Sequence, residues 1–116
     1  MFEPLFSQLD ASVPGLRAVS GVGNDGIEIE QYVKSQLAHD VLSAEMTGIL
    51  RTLERLHREL DLGKLQEVIV RTDLQNIFIF SLSGGLYILL VTDSSSTTGR
   101  ARYAVQKIAY KFAELL

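Results

Sequence analysis

Residues 36–61, QLAHDVLSAEMTGILRTLERLHRELD, decide how this chain is read. Leu42, Met46, Ile49, Leu53, Leu56 and Leu60 recur at spacings of 4, 3, 4, 3 and 4. That period keeps an apolar line straight along a helix, here about 39 Å long at ~1.5 Å per residue. Val41 and Leu50 widen the stripe. Ser35 is a candidate N-cap, because its hydroxyl can accept from a first-turn N–H. Gly63 is the expected C′ residue.

The patterns on either side are shorter. Phe2, Leu5, Phe6 and Leu9 predict a first helix, with Pro4 tolerable in its first turn and Val13-Pro14-Gly15 as its stop. Leu16 to Val22 reads as a strand, Gly23-Asn24-Asp25-Gly26 as a hairpin turn, and Ile27 to Val33 as the returning strand. Its alternation puts Ile27, Ile29 and Val33 on one face and Glu28, Glu30 and Tyr32 on the other, as at a wet face or sheet edge.

After the long helix, strands are predicted at Glu67–Thr72, Ile77–Leu82 and Leu86–Thr92. The turns fall at Asp73–Asn76 and Ser83-Gly84-Gly85. Ile77-Phe78-Ile79-Phe80 and Leu86 to Val91 are apolar on both sides, so helices must cover both faces of the sheet. The last helix sets Ala101, Ala104, Val105, Ile108, Phe112 and Leu115 on one face, with Arg102, Gln106, Lys107 and Glu114 elsewhere. The order is therefore α-β-β-α-β-β-β-α, an α+β fold.

At 116 residues the chain is expected to be a single domain able to bury a core without staples. It has no cysteine, which removes disulfides, thiol catalysis and the usual structural zinc sites and fits a reducing cytoplasm. A net charge of −3 without a basic tail makes nucleic acid and anionic membrane poor partners. No apolar run reaches the roughly 20 residues of a membrane span, and neither a signal peptide nor a lipidation motif is expected.

No catalytic constellation stands out. His39 and His57 lack a third ligand at useful spacing, so no metal is expected. Asp93 to Gly99 opens a helix but lacks the glycines and lysine of a phosphate loop, and reads as a capping loop. Gly21-Val22-Gly23 with Gly26 has a dinucleotide outline but precedes a strand. Asp25, Glu28 and Glu30 lack an apolar pocket to raise a carboxyl pKa. The expectation is a protein that is not an enzyme and carries no cofactor.

Arg51, Arg55 and Arg58 form a basic stripe at i, i+4 and i+7. It suits contact with an acidic partner surface. It equally suits a solvated face, with Arg55 pairing Glu59 and Glu54 pairing Arg58. Gly48, mid-helix, costs about 1 kcal/mol relative to Ala. That cost is explained either by a closely approaching helix or by a tolerated surface glycine.

Taken together, the hairpin of Leu16 to Val33, the long helix, the meander of Val68 to Thr92 with Gly84-Gly85 at its second turn, and Thr98-Gly99-Arg100 before the last helix resemble the Roadblock family. That family includes dynein light chains and MglB-like bacterial partners of Ras-like GTPases. The resemblance implies a five-stranded antiparallel sheet with the first and last helices on one face and the long helix on the other. It implies a homodimer, or a dimer with a Roadblock paralogue, in which the long helices lie side by side and the Glu67–Thr72 strands pair. Contacts are then expected at Met46, Gly48, Ile49, Thr52 and Leu53 on the helix and at Val68, Ile69, Val70 and Arg71 on the strand. A small Ras-like GTPase is the implied partner, with Arg51, Arg55 and Arg58 as its contacts. Alternatives are a structural dimerisation or scaffold subunit and a small-molecule sensor domain. A sensor would need an internal cavity that the bulky strand residues argue against.

Overall fold

The computed structural model describes residues 1–23, 25–34, 39–82 and 85–115, with the backbone alone at 39, 40 and 113. Its elements are α1 (Glu3–Ser12), β1 (Leu16–Val22), β2 (Glu28–Val33), α2 (His39–Glu59), β3 (Glu67–Arg71), β4 (Gln75–Ser81), β5 (Tyr87–Asp93) and α3 (Thr98–Glu114). The five strands form one antiparallel sheet in the order β2-β1-β5-β4-β3. The expected cap Ser35, the start of the predicted helix at Gln36, and Asn24, Ser83 and Gly84 of the two turns lie outside the described residues.

Sheet alternation sorts the core into two clusters. On one face, Phe2 at the N-cap of α1, Leu5, Phe6 and Leu9 of α1 and Ala101, Ala104, Val105, Ile108 and Phe112 of α3 pack on Val19, Phe78, Phe80, Ile88 and Leu90. Three rings lock the two helices together, with Phe2–Phe112 centroids 5.2 Å apart at an edge-on 74°. Such pairs add about 0.5–1.5 kcal/mol beyond area burial. Gly21 makes room for them, because a Cβ there would sit 2.8 Å from the Phe2 ring.

On the other face, α2 alone covers Ala18, Val22, Ile77, Ile79, Tyr87, Leu89 and Val91. The central strands β4 and β5 are thus buried on both sides, as their apolar runs require. No helix among the described residues is long and apolar enough to cross a membrane.

Two local expectations are corrected. The α2 terminus is closed at Asp61 and not at Gly63. Leu62 N–H bonds the His57 carbonyl and Asp61 N–H the Arg58 carbonyl, a Schellman pair with Asp61 at φ +54° in the left-handed position. The even alternation of β2 is broken by a bulge, since Gly21 pairs Glu30 and Val22 pairs Glu28, leaving Ile29 unmatched. Glu30 therefore points toward α1, where it accepts from Phe2 N–H at 2.7 Å, while Glu28 points toward α2 and accepts from Ser43 Oγ at 2.7 Å.

The long helix meets the sheet along a line other than its seam. Of the six seam residues only Met46 is buried, at 4% exposure. The side facing the sheet is Ser43, Met46, Thr47 and Leu50. Thr47 Oγ1 donates to the Ser43 carbonyl at 2.7 Å, so this polar pair is buried without loss of bonding. The seam is rotated away from the sheet, leaving Ile49, Leu56 and Leu60 at 47, 44 and 59% exposure.

Candidate interaction surfaces

The rotation of α2 builds the first surface. Val41, Ile49, Leu56 and Leu60 are exposed along its outer side. Glu45, Gly48, Ile49, Thr52 and Leu53 enclose a shallow, open depression of about 320 Å³. Gly48 is part of its lining, and a Cβ there would meet nothing within 4 Å. The Thr52 hydroxyl donates to the Gly48 carbonyl at 3.1 Å.

The sheet continues this surface. Strand β3 is an edge strand paired only with β4. Val68 and Val70 point to the α2 side and pack half-buried against the cluster of Met46 and Leu50. Ile69 points the other way, against the α1–α3 core. Arg71 is exposed at the strand end. The strand is held at its start by Glu67, whose carboxylate pairs with the Arg102 guanidinium of α3 at 2.6 Å. An edge with neither proline nor bulge leaves its outward N–H and C=O groups open to a further strand.

Of the residues expected at a dimer contact, Gly48, Ile49, Thr52, Leu53, Val68 and Val70 thus share one face of the molecule. Met46 is turned into its own chain's core, and Ile69 faces the opposite side of the sheet.

Arg51, Arg55 and Arg58 are all exposed on α2. Ion pairs within 4 Å among the described residues include Met1–Glu30, Lys34–Asp10 and Arg102–Glu67. Neither the Arg55–Glu59 nor the Glu54–Arg58 pair of the solvated-face reading is among them. Arg51 borders a cleft of about 180 Å³ between α2 and the β4–β5 end, lined also by Glu54, Lys64, Ser81 and Tyr87. Among the described residues, the Tyr87 hydroxyl is buried there without a hydrogen-bond partner. Burial pushes its pKa up to about 12, against the opposing pull of the Arg51 cation.

The chemically suggestive residues have structural employment. His57 Nδ1–H donates to the Leu53 carbonyl of its own helix at 2.7 Å, while the side chain of His39 is outside the described residues. No group of three potential metal ligands occurs among the described residues. The Asp93 carboxylate accepts from Ser95 N–H at 3.0 Å and from its hydroxyl, bonds that hold the Asp93 carboxyl below the usual range. Asn76 Nδ2 donates to the Ser96 carbonyl at 3.1 Å. The 93–97 loop is therefore a braced turn with a carboxylate at its centre, a poor cradle for phosphate.

No family model and no curated protein matches the chain. Solved structures do. A Roadblock/LC7 domain from Streptomyces avermitilis superposes with a TM-score of 0.86 over 96% of this chain and 93% of its own, at 16% identity. MglB from Myxococcus xanthus gives 0.81 over 97% and 88%, at 12% identity. MglC from Myxococcus xanthus gives 0.69 over 99% and 98%, at 23% identity. This chain has the Roadblock/LC7 fold.

Proposed function

We propose that residues 1–116 form one non-catalytic Roadblock-like domain that self-associates through α2 and β3, or pairs so with a paralogue, and binds a small Ras-like GTPase in the cytoplasm. The observation that carries the reading is the rotation of the long helix. A helix serving only its own sheet would turn Ile49, Leu56 and Leu60 inward. Here they lie exposed, with an open edge strand on the same face of the sheet. Apolar area of that kind gains about 25 cal/mol per Å² when a partner covers it. A two-fold pairing would bring each patch onto its own copy.

The partner class rests on the family resemblance, and the basic stripe is its complement in this chain. Arg51, Arg55 and Arg58 lie on the other flank of α2, about half a turn round the helix from Ile49, Leu56 and Leu60, and a GTPase surface with acidic groups would meet them there. The dimer would act by preferring one switch-loop conformation, and it can shift the nucleotide state only by its difference in affinity for the two forms. No arginine finger is invoked. A small-molecule sensor is disfavoured by a core filled with Phe, Ile and Leu on both faces of the sheet.

The test is affinity capture on immobilised protein, from host lysate loaded with non-hydrolysable GTP or with GDP. The same capture is run with an R51A/R55A variant whose fold is checked by circular dichroism. A small GTPase retained preferentially in one state, and lost with the variant, is the expected result. Equal retention in both states makes the protein a scaffold. No GTPase on folded, associated protein removes the regulator reading.

A further inference from the structure

The face opposite α2 carries a second surface that the α2 face does not account for. Arg100, Tyr103, Lys107 and Tyr110 fall at i, i+3, i+7 and i+10 of α3, one side of the helix. Tyr103 and Tyr110 are 67 and 59% exposed, the most solvent-facing rings of the four described tyrosines. Between α1 and α3 runs a groove of about 210 Å³ with Leu9 and Ala104 among its lining, rimmed by Gln8, Ser12, Arg100 and Lys107. It contains no carboxylate, in a protein whose net charge is −3. Among the described residues, neither Arg100 nor Lys107 has an ion-pair partner within 4 Å. A third cation, Lys111, sits 5.9 Å from the Tyr110 ring.

We propose that this α1–α3 groove docks an acidic, amphipathic segment of a protein partner, anchored by Tyr103 of the groove lining and by Tyr110 further along the same side of α3, outside that lining. Tyrosine offers large, rigid contact area with a polar tip, and it is enriched at binding hot spots. The two rings stand about 10.5 Å apart along the axis, the length of two turns of a helix laid alongside. Arg100 and Lys107 supply complementary charge, which favours an acidic segment over a neutral one and speeds its encounter. Three cations on one short face are too few for the multi-phosphate contact that sustains nucleic-acid binding. The groove lies across the sheet from α2, so this partner and one on α2 could be held together. The inference does not depend on the GTPase reading.

The experiment pans a phage-displayed library of random 16-residue peptides on the full chain. The R100E/K107E variant and a Y103S variant serve as counter-targets, and circular dichroism melts confirm that both are folded. Enriched peptides are expected to combine Asp or Glu with apolar residues at helical spacing, to bind R100E/K107E at least tenfold more weakly, and to bind R55E unchanged. Enrichment of neutral or basic peptides, or equal binding to R100E/K107E, overturns the proposal. So does the absence of any peptide sensitive to Tyr103. A 20-nucleotide single-stranded RNA and phosphatidylserine vesicles are run in parallel. Binding of either that exceeds peptide binding and is lost with R100E/K107E assigns the face to that ligand instead, and likewise overturns it.

Discussion

Substituting Gly48 separates the account of the isolated chain from that of the assembly, because the two give opposite signs. In one chain a Cβ at position 48 meets nothing within 4 Å, and the residue sits in the middle of α2. G48A therefore adds no clash and removes the conformational cost of glycine, about 1 kcal/mol. For a domain of this size that raises the melting temperature by about 4 °C. In an assembly whose α2 helices approach at Gly48, the two-fold places both new methyls in the contact. Overpacking of this kind costs about 1–3 kcal/mol, a weakening of about 5- to 150-fold in association. The assay pairs thermal unfolding at protein concentrations dilute enough to leave the chain unassociated with sedimentation velocity across a concentration series. The expected outcome is a more stable protomer that associates less. A protomer that gains stability with association unchanged would refute the close approach and leave Gly48 a tolerated surface glycine. A protomer that loses stability would refute the geometry of α2 itself.

Other outcomes follow from single residues. Asp61 holds φ +54° to close α2, so D61G should stabilise the chain by about 1 kcal/mol in urea unfolding, since only glycine adopts that region without steric cost. An unchanged midpoint would place the helix end elsewhere. The buried, unpartnered Tyr87 hydroxyl makes Y87F stabilising by about 1 kcal/mol, the desolvation cost of an unsatisfied group. In absorbance titration at alkaline pH the variant should also lose the ionisation near 12. Destabilisation by Y87F would mean the hydroxyl has a partner in solution. The Lys34 ammonium, then the Tyr32 hydroxyl, hold the Asp10 carboxyl below its ordinary 3.8. Its contribution is present above that value and fades as pH falls through the lower folded one, because the unfolded chain takes up the proton first. D10N should flatten this part of the acid-unfolding curve, and an identical acid slope in both proteins would count against the α1–β2 tie.

Much of the architecture was readable because turn chemistry and period agree. Val13-Pro14-Gly15 separates a helical from an alternating pattern, and the doubly apolar β4 and β5 require helices on both faces. What the sequence concealed was the azimuth of α2. Period 3.5 marks an apolar line without saying which side meets the sheet, and the buried pair Ser43 and Thr47 looks like surface until the Thr47–Ser43 carbonyl bond is seen to satisfy it. The bulge at Ile29 was hidden for a related reason. Both registers of β2 keep some apolar residues exposed, so alternation alone could not choose between them. In α3, Arg102, Gln106, Lys107 and Glu114 mark the side away from the apolar face, and the spacing of seven between Tyr103 and Tyr110, with Lys107 between them, is the sequence signal of the exposed tyrosine face.

The azimuth of α2, the β2 bulge and the exposed side of α3 have a common physical source, and it bears on function. Sequence patterning reports how apolar a face is, whereas partner surfaces arise where apolar area exceeds what the chain's own sheet can cover. The α1–α3 layer applies two helices to its face and buries all four core side chains of α1's end, Phe2, Leu5, Phe6 and Leu9. The α2 layer applies one helix to the same width of sheet, and Leu42, Leu65, Val68 and Val70 remain only partly buried at its margins. Truncating an exposed seam residue should therefore have little effect on the protomer but weaken the assembly. Ile49 is about half exposed, so I49A forfeits about 1 kcal/mol of partner burial per copy, or roughly 2 kcal/mol across a two-fold contact. That corresponds to about 30-fold in association, against a small shift in protomer melting. Met46, buried at 4% exposure, should behave in the opposite way. M46A opens a cavity costing about 2–5 kcal/mol of protomer stability, measurable by urea unfolding of the unassociated chain. If I49A unfolded the protomer and M46A spared it, α2 would be turned onto its seam and the exposed strip on which the self-association rests would not exist.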